Sequence, residues 1–298
     1  MTNTNRYRHP ARGGFSLVEL LVVLAIMAVL AALITAASQR TRSTQVARNS
    51  EAAIAKVQSG IDGHLKAIGN QVALDEKTTT KEFQALVAYC DGDKLRGQSL
   101  LYHCRVKQAF PQTAAELATT MTAAPLVGQP GFTVGGVNFP RSPAFAKFAT
   151  ITGGADEVAA VLLYAALANR TIQGTGFGSD EALQTGEFPL GGTFTAYVDG
   201  WGRPVSFRRW HRSAELETPE YANTKDPNKN PFDPGGRLAI WTPNPATKKT
   251  DAQTALGVTF TRENTLVVAF SAGPNQAYEN LTGDDILGYK VRAGRKGP

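Results

Sequence analysis

The strongest pattern along the chain is an apolar run from Phe15 to Ala37, in which Glu19 is the only charged residue. As an α-helix this run spans roughly 34 Å, enough to cross a hydrocarbon core of roughly 30 Å. Its small residues, Gly13 and Gly14, come before the run and not after it, so a cleaved secretory signal fits poorly. The run therefore predicts a membrane-spanning helix that ends at about residue 37.

A helical pattern continues beyond the apolar run. Apolar residues recur there every three or four positions, which places them on one face of a helix. They are Val46, Ile54, Val57, Ile61, Leu65 and Ile68, and Ser50 fills the step between Val46 and Ile54. Gly69 and Asn70 provide a stop signal. The pattern predicts one long helix over residues 15–69, whose second half needs a sheet or further helices to cover its apolar stripe.

The next region, residues 70–190, is rich in alanine and carries short helix signals. Thr79 with Glu82, and again Thr113 with Glu116, have the spacing of a capping box before an apolar run. The segment "DEVAAVLLYAALAN" is typical of a buried helix. We expect a mostly helical elaboration, whose role the sequence does not reveal.

From residue 191 to residue 298 the pattern becomes the alternation of β-strands. Phe194–Val198 and Pro204–Trp210 flank the turn "DGWG" and predict a β-hairpin. "RLAIWT" and "NTLVVAFSAG" predict further strands, and the proline-rich segment after the hairpin predicts a long loop. The predicted fold class is α+β: a long N-terminal helix packed on a small antiparallel sheet, with an inserted helical region.

Composition limits the function classes. The chain is 42% hydrophobic and 19% charged, which is typical of an ordered globular protein. Its net charge of +6 includes three arginines within residues 1–14, so the remainder carries only about +3. Net charge thus gives no reason to expect nucleic acid as the main partner. An enzyme is not expected either, because we find no catalytic constellation, phosphate-binding glycine loop or nucleophile elbow.

The stretch "GGFSLVELLVVLAIMAVLAAL" resembles the N-terminal segment of the type IV pilin and pseudopilin family. It combines a basic leader, a glycine, an aromatic residue, a glutamate four residues later and an unbroken apolar run. The resemblance implies that a prepilin peptidase removes residues 1–14 by cleaving between Gly14 and Phe15, and that the new amine of Phe15 is N-methylated. A carboxylate in hydrocarbon is costly unless it is paired. We therefore expect Glu19 to act in assembly, by meeting the Phe15 amine of a neighbouring subunit.

The resemblance also implies partners and a location. The partners are other pilin or pseudopilin subunits, the prepilin peptidase, an inner-membrane assembly platform and membrane lipid. The location is the bacterial inner membrane, crossed once, with the N-terminus in the cytoplasm and the globular domain in the periplasm. The predicted function is a structural subunit of a filament in a type II secretion or type IV pilus-type system. The alternative is a minor pilin that binds DNA, a surface or a secreted substrate. For the DNA case, the side chains of "SFRRWHR" could stack on a nucleic-acid strand, although a solvated end of a β-strand is the simpler interpretation of this segment.

The turn "DGWGRP" and the loop "SAGPNQAYENLTGDDI" resemble the major pseudopilin of type II secretion, which implies a calcium-holding loop. The side chains of Ser271, Asn275, Asp284 and Asp285, with Glu279, offer the oxygen ligands that calcium prefers. Asn275 stands where that family usually has aspartate, and the missing charge predicts a weaker site. The alternative is a surface loop with two solvated aspartates.

Cys90 and Cys104 close a loop of about 15 residues, and a disulfide there contributes roughly 3 kcal/mol in the chain-entropy model. A disulfide is permitted if the domain lies outside the cytoplasmic membrane. A metal site formed by Asp91, Asp93, His103 and both cysteines is an alternative, but the C-x-x-C spacing typical of zinc is missing. Two free buried thiols are the third possibility.

Overall fold

The computed structural model describes residues 16–118, 131–168, 183–218, 230–279 and 281–292. The chain divides into two compact units, Met1–Val46 and Ala47–Pro298. The helices are α1 (Leu17–Thr78), α2 (Lys81–Tyr89), α3 (Lys94–Ala109), α4 (Ala114–Ala118), α5 (Ala155–Ala168), α6 (Thr247–Leu256) and α7 (Gly288–Arg292), with 3₁₀ turns at Pro143–Phe148 and Ala214–Glu217. The strands are β1 (Gly131–Val134), β2 (Val137–Pro140), β3 (Thr185–Pro189), β4 (Thr193–Tyr197), β5 (Ser206–His211), β6 (Leu266–Ser271) and β7 (Ile286–Leu287). The structure confirms the α+β class.

Helix α1 changes character along its length. Every residue from Ser16 to Gln45 is exposed, including the large apolar side chains. Later in the helix a buried stripe appears at three- and four-residue steps: Ser50, Ile54, Val57, Gln58, Ile61, His64, Ile68, Val72 and Asp75. This stripe covers the core of the second unit, as its periodicity predicts.

The helix also runs further than predicted. It continues past Gly69–Asn70 to Thr78, because Val72 and Asp75 extend the buried stripe by another turn and more. A glycine inside a helix costs about 1 kcal/mol relative to alanine, which this further burial offsets. The Asp75 carboxylate also pairs with Arg105 of α3 at 3.2 Å.

One of the predicted helix starts differs in detail. Thr80, and not Thr79, caps α2, because its side chain accepts a hydrogen bond from the Phe83 N–H. Thr79 follows the end of α1 with a positive φ of 53°, a conformation that ends a helix. The Thr113 cap of α4 is confirmed, since the Thr113 Oγ1 accepts from the Glu116 N–H at 3.2 Å. The buried helix predicted from "DEVAAVLLYAALAN" is confirmed as α5.

The described strands form three antiparallel sheets, ordered β1-β2, β3-β4 and β5-β6-β7. The prediction that the two runs flanking "DGWG" pair with each other as a β-hairpin is wrong. Its two runs meet only at the bridge between Val198 and Pro204, after which β4 pairs with β3, and β5 with β6. Pro204 has no N–H to extend a ladder between the two runs, whereas β6 pairs with β5 at four positions.

The strand predicted from "RLAIWT" is also wrong, because residues 237–240 form turns. The Asp233 Oδ2 accepts hydrogen bonds from the N–H groups of Leu238 (3.0 Å) and Ala239 (3.1 Å). This side chain gives the backbone local partners in place of a sheet ladder. The strand predicted from "NTLVVAFSAG" is confirmed as β6.

Two polar side chains of α1 fasten it to the β region. The Gln58 side chain donates to the Val267 carbonyl (3.0 Å) and accepts from the Ala269 N–H (2.9 Å), both on β6. The Ser50 Oγ accepts from the N–H of Gly200 in the "DGWG" turn at 2.8 Å. Both side chains are buried, so these bonds set the position of the helix on β6 and the turn.

Candidate functional site

The start of α1 forms a reciprocal cap. The Ser16 N–H donates to the Glu19 Oε2 at 2.9 Å, and the Glu19 N–H donates to the Ser16 Oγ at 3.2 Å. This is the geometry of a capping box, which satisfies two backbone donors that have no partner inside the helix. The S-x-x-E spacing signals such a cap, although the sequence led us to expect only an assembly role for Glu19. Gly14 and Phe15 lie outside the described residues.

Helix α1 is the single described helix that is long and apolar enough to cross a membrane, and its most apolar window is unburied. The large side chains between Leu17 and Ile34 are all exposed. The one hydroxyl late in this stretch, that of Thr35, donates to the Ala31 carbonyl at 2.8 Å. Its polar group is therefore satisfied within the helix, as a hydrocarbon environment requires.

The C-terminal loop is held by its own carboxylates. The Asp285 Oδ2 accepts from the N–H groups of Glu279 (3.1 Å) and Leu281 (2.9 Å). The Asp284 Oδ2 accepts from the Asn275 N–H (3.0 Å), and the Asn275 side chain donates to the Glu279 Oε1 (2.8 Å). The structure thus brings Asn275, Glu279, Asp284 and Asp285 into one hydrogen-bonded loop.

Ser271 is used differently from the prediction. Its hydroxyl donates to the Asp199 carboxylate. The other oxygen of Asp199 accepts from the N–H groups of Trp201 and Arg203, each at 2.9 Å. Ser271 therefore ties β6 to the "DGWG" turn.

Whether the loop suits calcium can be tested against its geometry. In the part of the chain that the structure describes, no three His, Cys, Asp or Glu side chains are grouped so as to hold a metal. Two carboxylate oxygens, the Oδ1 atoms of Asp284 and Asp285, are nevertheless buried without a hydrogen-bond partner among these residues. Burial raises the pKa of Asp285, the two backbone hydrogen bonds lower it, and the charges of Glu279 and Asp284 raise it further. The oxygen donors are of the type that calcium prefers and the two unsatisfied oxygens favour a cation, but the described carboxylates are not grouped as a metal site in this structure.

Cys90 and Cys104 are free thiols in the structure, and both are fully buried. The structure leaves the two thiols unlinked, which agrees with the third possibility, and the disulfide stays a prediction. Burial raises the pKa of the Cys90 thiol to about 12 and raises that of Cys104 as well. Thiols with such a raised pKa are poor nucleophiles, so packing is what these two side chains provide.

Among the described residues, His103 and the cysteines are not grouped as a metal site. The His103 ring lies among Trp210, Phe232 and Phe260, with centroid distances of 5.2 to 5.8 Å. Its Nδ1 is 2.8 Å from the Ser99 carbonyl oxygen. Burial lowers the pKa of this imidazole, which makes it a neutral core residue.

A long helix with an exposed apolar first part, capped at its start and continuing into a separate compact unit, is typical of membrane-anchored, pilin-type proteins. Comparison with family models matches residues 10–35 to the prokaryotic N-terminal methylation motif. This motif includes the apolar first part of the long helix α1, and the two together fit the type IV pilin and pseudopilin family. No curated protein and no solved structure matches the chain.

Proposed function

We propose that this chain is a structural subunit of a pilus-like filament in a type II secretion or type IV pilus-type system. The observation that carries the proposal is the methylation motif at residues 10–35, whose apolar part is the exposed first part of helix α1. Pilin-type proteins with this motif are processed by prepilin peptidase and assemble with other pilin subunits. The family is structural, and a structural role is the one we assign to this chain.

The geometry of Glu19 suggests how assembly uses it. One carboxylate oxygen, Oε2, holds the cap on Ser16, while Oε1 has no partner among the described residues. An ionised carboxylate can accept several hydrogen bonds, so the cap and a second contact are compatible. Cleavage after Gly14 would create an amine at Phe15, and the free oxygen of Glu19 would meet that amine on a neighbouring subunit. Each charge then offsets the cost of the other in hydrocarbon.

The same proposal gives the chain its organisation and surroundings. Residues 1–14 are a leader that is removed, the first part of α1 is the inner-membrane anchor, and the second unit lies in the periplasm. The inner-membrane assembly platform and membrane lipid are further partners. Basic residues before the apolar run support a cytoplasmic N-terminus.

The test is the mass of the mature N-terminus. The full chain is expressed in a host with active prepilin peptidase and extracted from the membrane. We expect the chain to begin at Phe15 and to carry a methyl group, and we expect Gly14→Val to keep the leader, because a branched side chain crowds a site that accepts glycine. A wild-type chain that retains Met1 to Gly14 would contradict the proposal.

We also propose that the C-terminal loop binds calcium through Asn275, Glu279, Asp284 and Asp285. The two unsatisfied carboxylate oxygens of the aspartates support this. Bound calcium would neutralise carboxylates whose negative charges repel one another. Ser271, which is occupied by Asp199, is left out of the proposed set.

The alternative role, a minor pilin that acts as a binding module for DNA, a surface or a secreted substrate, has one observation in its favour. An open cleft lies beside the "SFRRWHR" strand, and its residues Trp210 and Arg212 belong to that motif.

A further inference from the structure

The cleft lies at the end of β5 and has a volume of about 670 Å³. It is formed where β5, the segment before α4 and the loop between α6 and β6 come together. The residues that line the cleft include Gln112, Arg208, Trp210, His211, Arg212 and Glu263. All belong to the second unit, so the inference does not depend on the proposed filament function.

Two polar groups of the cleft have no partner within the described part of the chain. The Gln112 Oε1 accepts from the Arg209 N–H at 3.1 Å, while its Nε2 makes no hydrogen bond with any described residue. The Nε2 of His211 is buried and also has no hydrogen-bond partner among these residues. The Gln112 amide lines the cleft and is free to donate to a ligand, whereas the His211 nitrogen is shielded from solvent and is left out of the proposed contacts.

Positive charge is concentrated behind the cleft. Arg209, between the cleft residues Arg208 and Trp210, is only 3% exposed and pairs with Glu116 at 2.5 Å. Arg141 and Lys107 lie 3.4 Å and 3.8 Å from the same carboxylate. Three cations thus share one carboxylate in a region of low dielectric, where their field is weakly screened. The field at the cleft therefore favours an anion.

The cleft already holds a carboxylate that is easily replaced. Arg212 pairs with Glu263 at 3.5 Å, and both side chains are open to solvent, at 35% and 61% exposure. An exposed pair of this kind contributes about 0 to 1 kcal/mol, so exchanging its partner costs little. By contrast, Arg208 pairs with Asp156 at lower exposure and lies over the Phe270 ring at 5.1 Å, so it stays in place.

We propose that this cleft binds an acidic peptide segment of a partner protein, with a ligand carboxylate taking the place of Glu263 on Arg212. The Gln112 amide donates a second hydrogen bond to the ligand, and the Trp210 ring packs against its apolar part. A carboxylate is favoured over a nucleic-acid backbone for two reasons. Both cleft arginines already hold carboxylates of this chain, and the cleft is a single pocket and not the extended basic groove that tracks a strand.

The test is a binding titration on the full chain purified in an uncharged detergent. The probe is a tetraglutamate peptide blocked at both ends, and blocked tetraglutamine and oligothymidylate are tested alongside it. We expect tetraglutamate to bind more tightly than either, and salt to weaken its binding.

Three variants locate the site. Arg212→Gln should weaken tetraglutamate binding about tenfold, the effect of losing one charge-assisted hydrogen bond. Glu263→Gln should tighten binding, because it removes the competing carboxylate. Arg262→Gln, the same charge change at the exposed residue next to Glu263, should leave binding nearly unchanged.

Three results would overturn the proposal. One is tetraglutamate binding no better than tetraglutamine. Another is an equal loss in Arg212→Gln and Arg262→Gln, which would mean general charge attraction. The third is tighter binding of oligothymidylate than of tetraglutamate, which would make the cleft a nucleic-acid site. None of these results affects the processing test of the proposed function.

Discussion

Glu116 offers the sharpest test of how the second unit is held together. Its carboxylate accepts from the Arg209 Nη2 (2.5 Å) and Nη1 (3.0 Å) and from the Gln112 N–H (3.0 Å). Arg209 and Arg141 also donate to the carbonyls of Phe110 and Lys107. The cluster therefore joins α3, the segment before α4, the residue after β2 and β5. Glu116→Gln keeps the shape of the side chain and one acceptor for the α4 cap, so it isolates the loss of charge.

The size of the effect follows from the pKa of Glu116. Burial would raise this pKa, but the hydrogen bonds and charge of Arg209, with the charge of Lys107, lower it from 4.5 to about 2. That difference corresponds to about 3 kcal/mol of stability. Removing the carboxylate also leaves three buried cations without a counter-charge, a change that typically costs about 3 to 5 kcal/mol. We expect Glu116→Gln to lower the free energy of unfolding by about 3 to 5 kcal/mol near pH 7.

The pH dependence has a definite sign. A carboxyl group whose pKa is lowered in the folded state stabilises the fold at pH values above its unfolded pKa, which is 4.5 here. This contribution is lost as the pH falls towards the folded pKa of about 2. The difference in stability between the wild type and Glu116→Gln should therefore be complete above pH 4.5 and shrink towards zero near pH 2.

The assay is urea unfolding of the full chain in detergent, followed by tryptophan fluorescence. All three tryptophans lie in the second unit, so the signal reports that unit and not the membrane helix. Glu82→Gln, at an exposed position in the first turn of α2, is the matched control and should change stability by less than about 0.5 kcal/mol. Equal midpoints for the two variants, or a pH-independent difference, would refute the reasoning.

Three further predictions address the other sites. Glu19→Val should leave the amount of membrane-inserted protein unchanged or higher and reduce crosslinked multimers, because the neighbour's Phe15 amine loses its partner; wild-type crosslinking would show that the carboxylate has no role in assembly. Calcium at about 100 times its dissociation constant should raise the stability of the folded chain by about 2.7 kcal/mol relative to a chelator control, as measured by thermal unfolding of the full chain. Asp285→Ala should remove this gain, and identical melting curves would mean that hydrogen bonds alone hold the loop. Cys90 and Cys104 should resist a thiol reagent at pH 8 in the folded chain, because both are buried and burial raises the pKa of each thiol. Both should react once the chain is unfolded without reductant, and no reaction after unfolding would indicate a disulfide.

The features that the sequence determined by itself are those with a local cause. The apolar run of α1, the stripe behind it, the helix α5 and the strand β6 all follow from periodicity over neighbouring positions. The cap of Thr113 on α4 follows from a spacing of three residues. The membrane anchor and the processing segment belong to the same group, because their signal lies within one continuous stretch.

Tertiary structure decided which strands pair and what the arginines of "SFRRWHR" do. The sequence offers β4 as the nearest partner for β5, but Pro204 limits that pairing to one bridge, and β6 from far along the chain takes its place. The same packing gives three similar side chains different surroundings. Arg209 is buried against Glu116, Arg208 pairs with Asp156, and Arg212 stays exposed at the cleft. No local pattern distinguishes these arginines, because the charge that each one meets comes from a different, distant part of the chain.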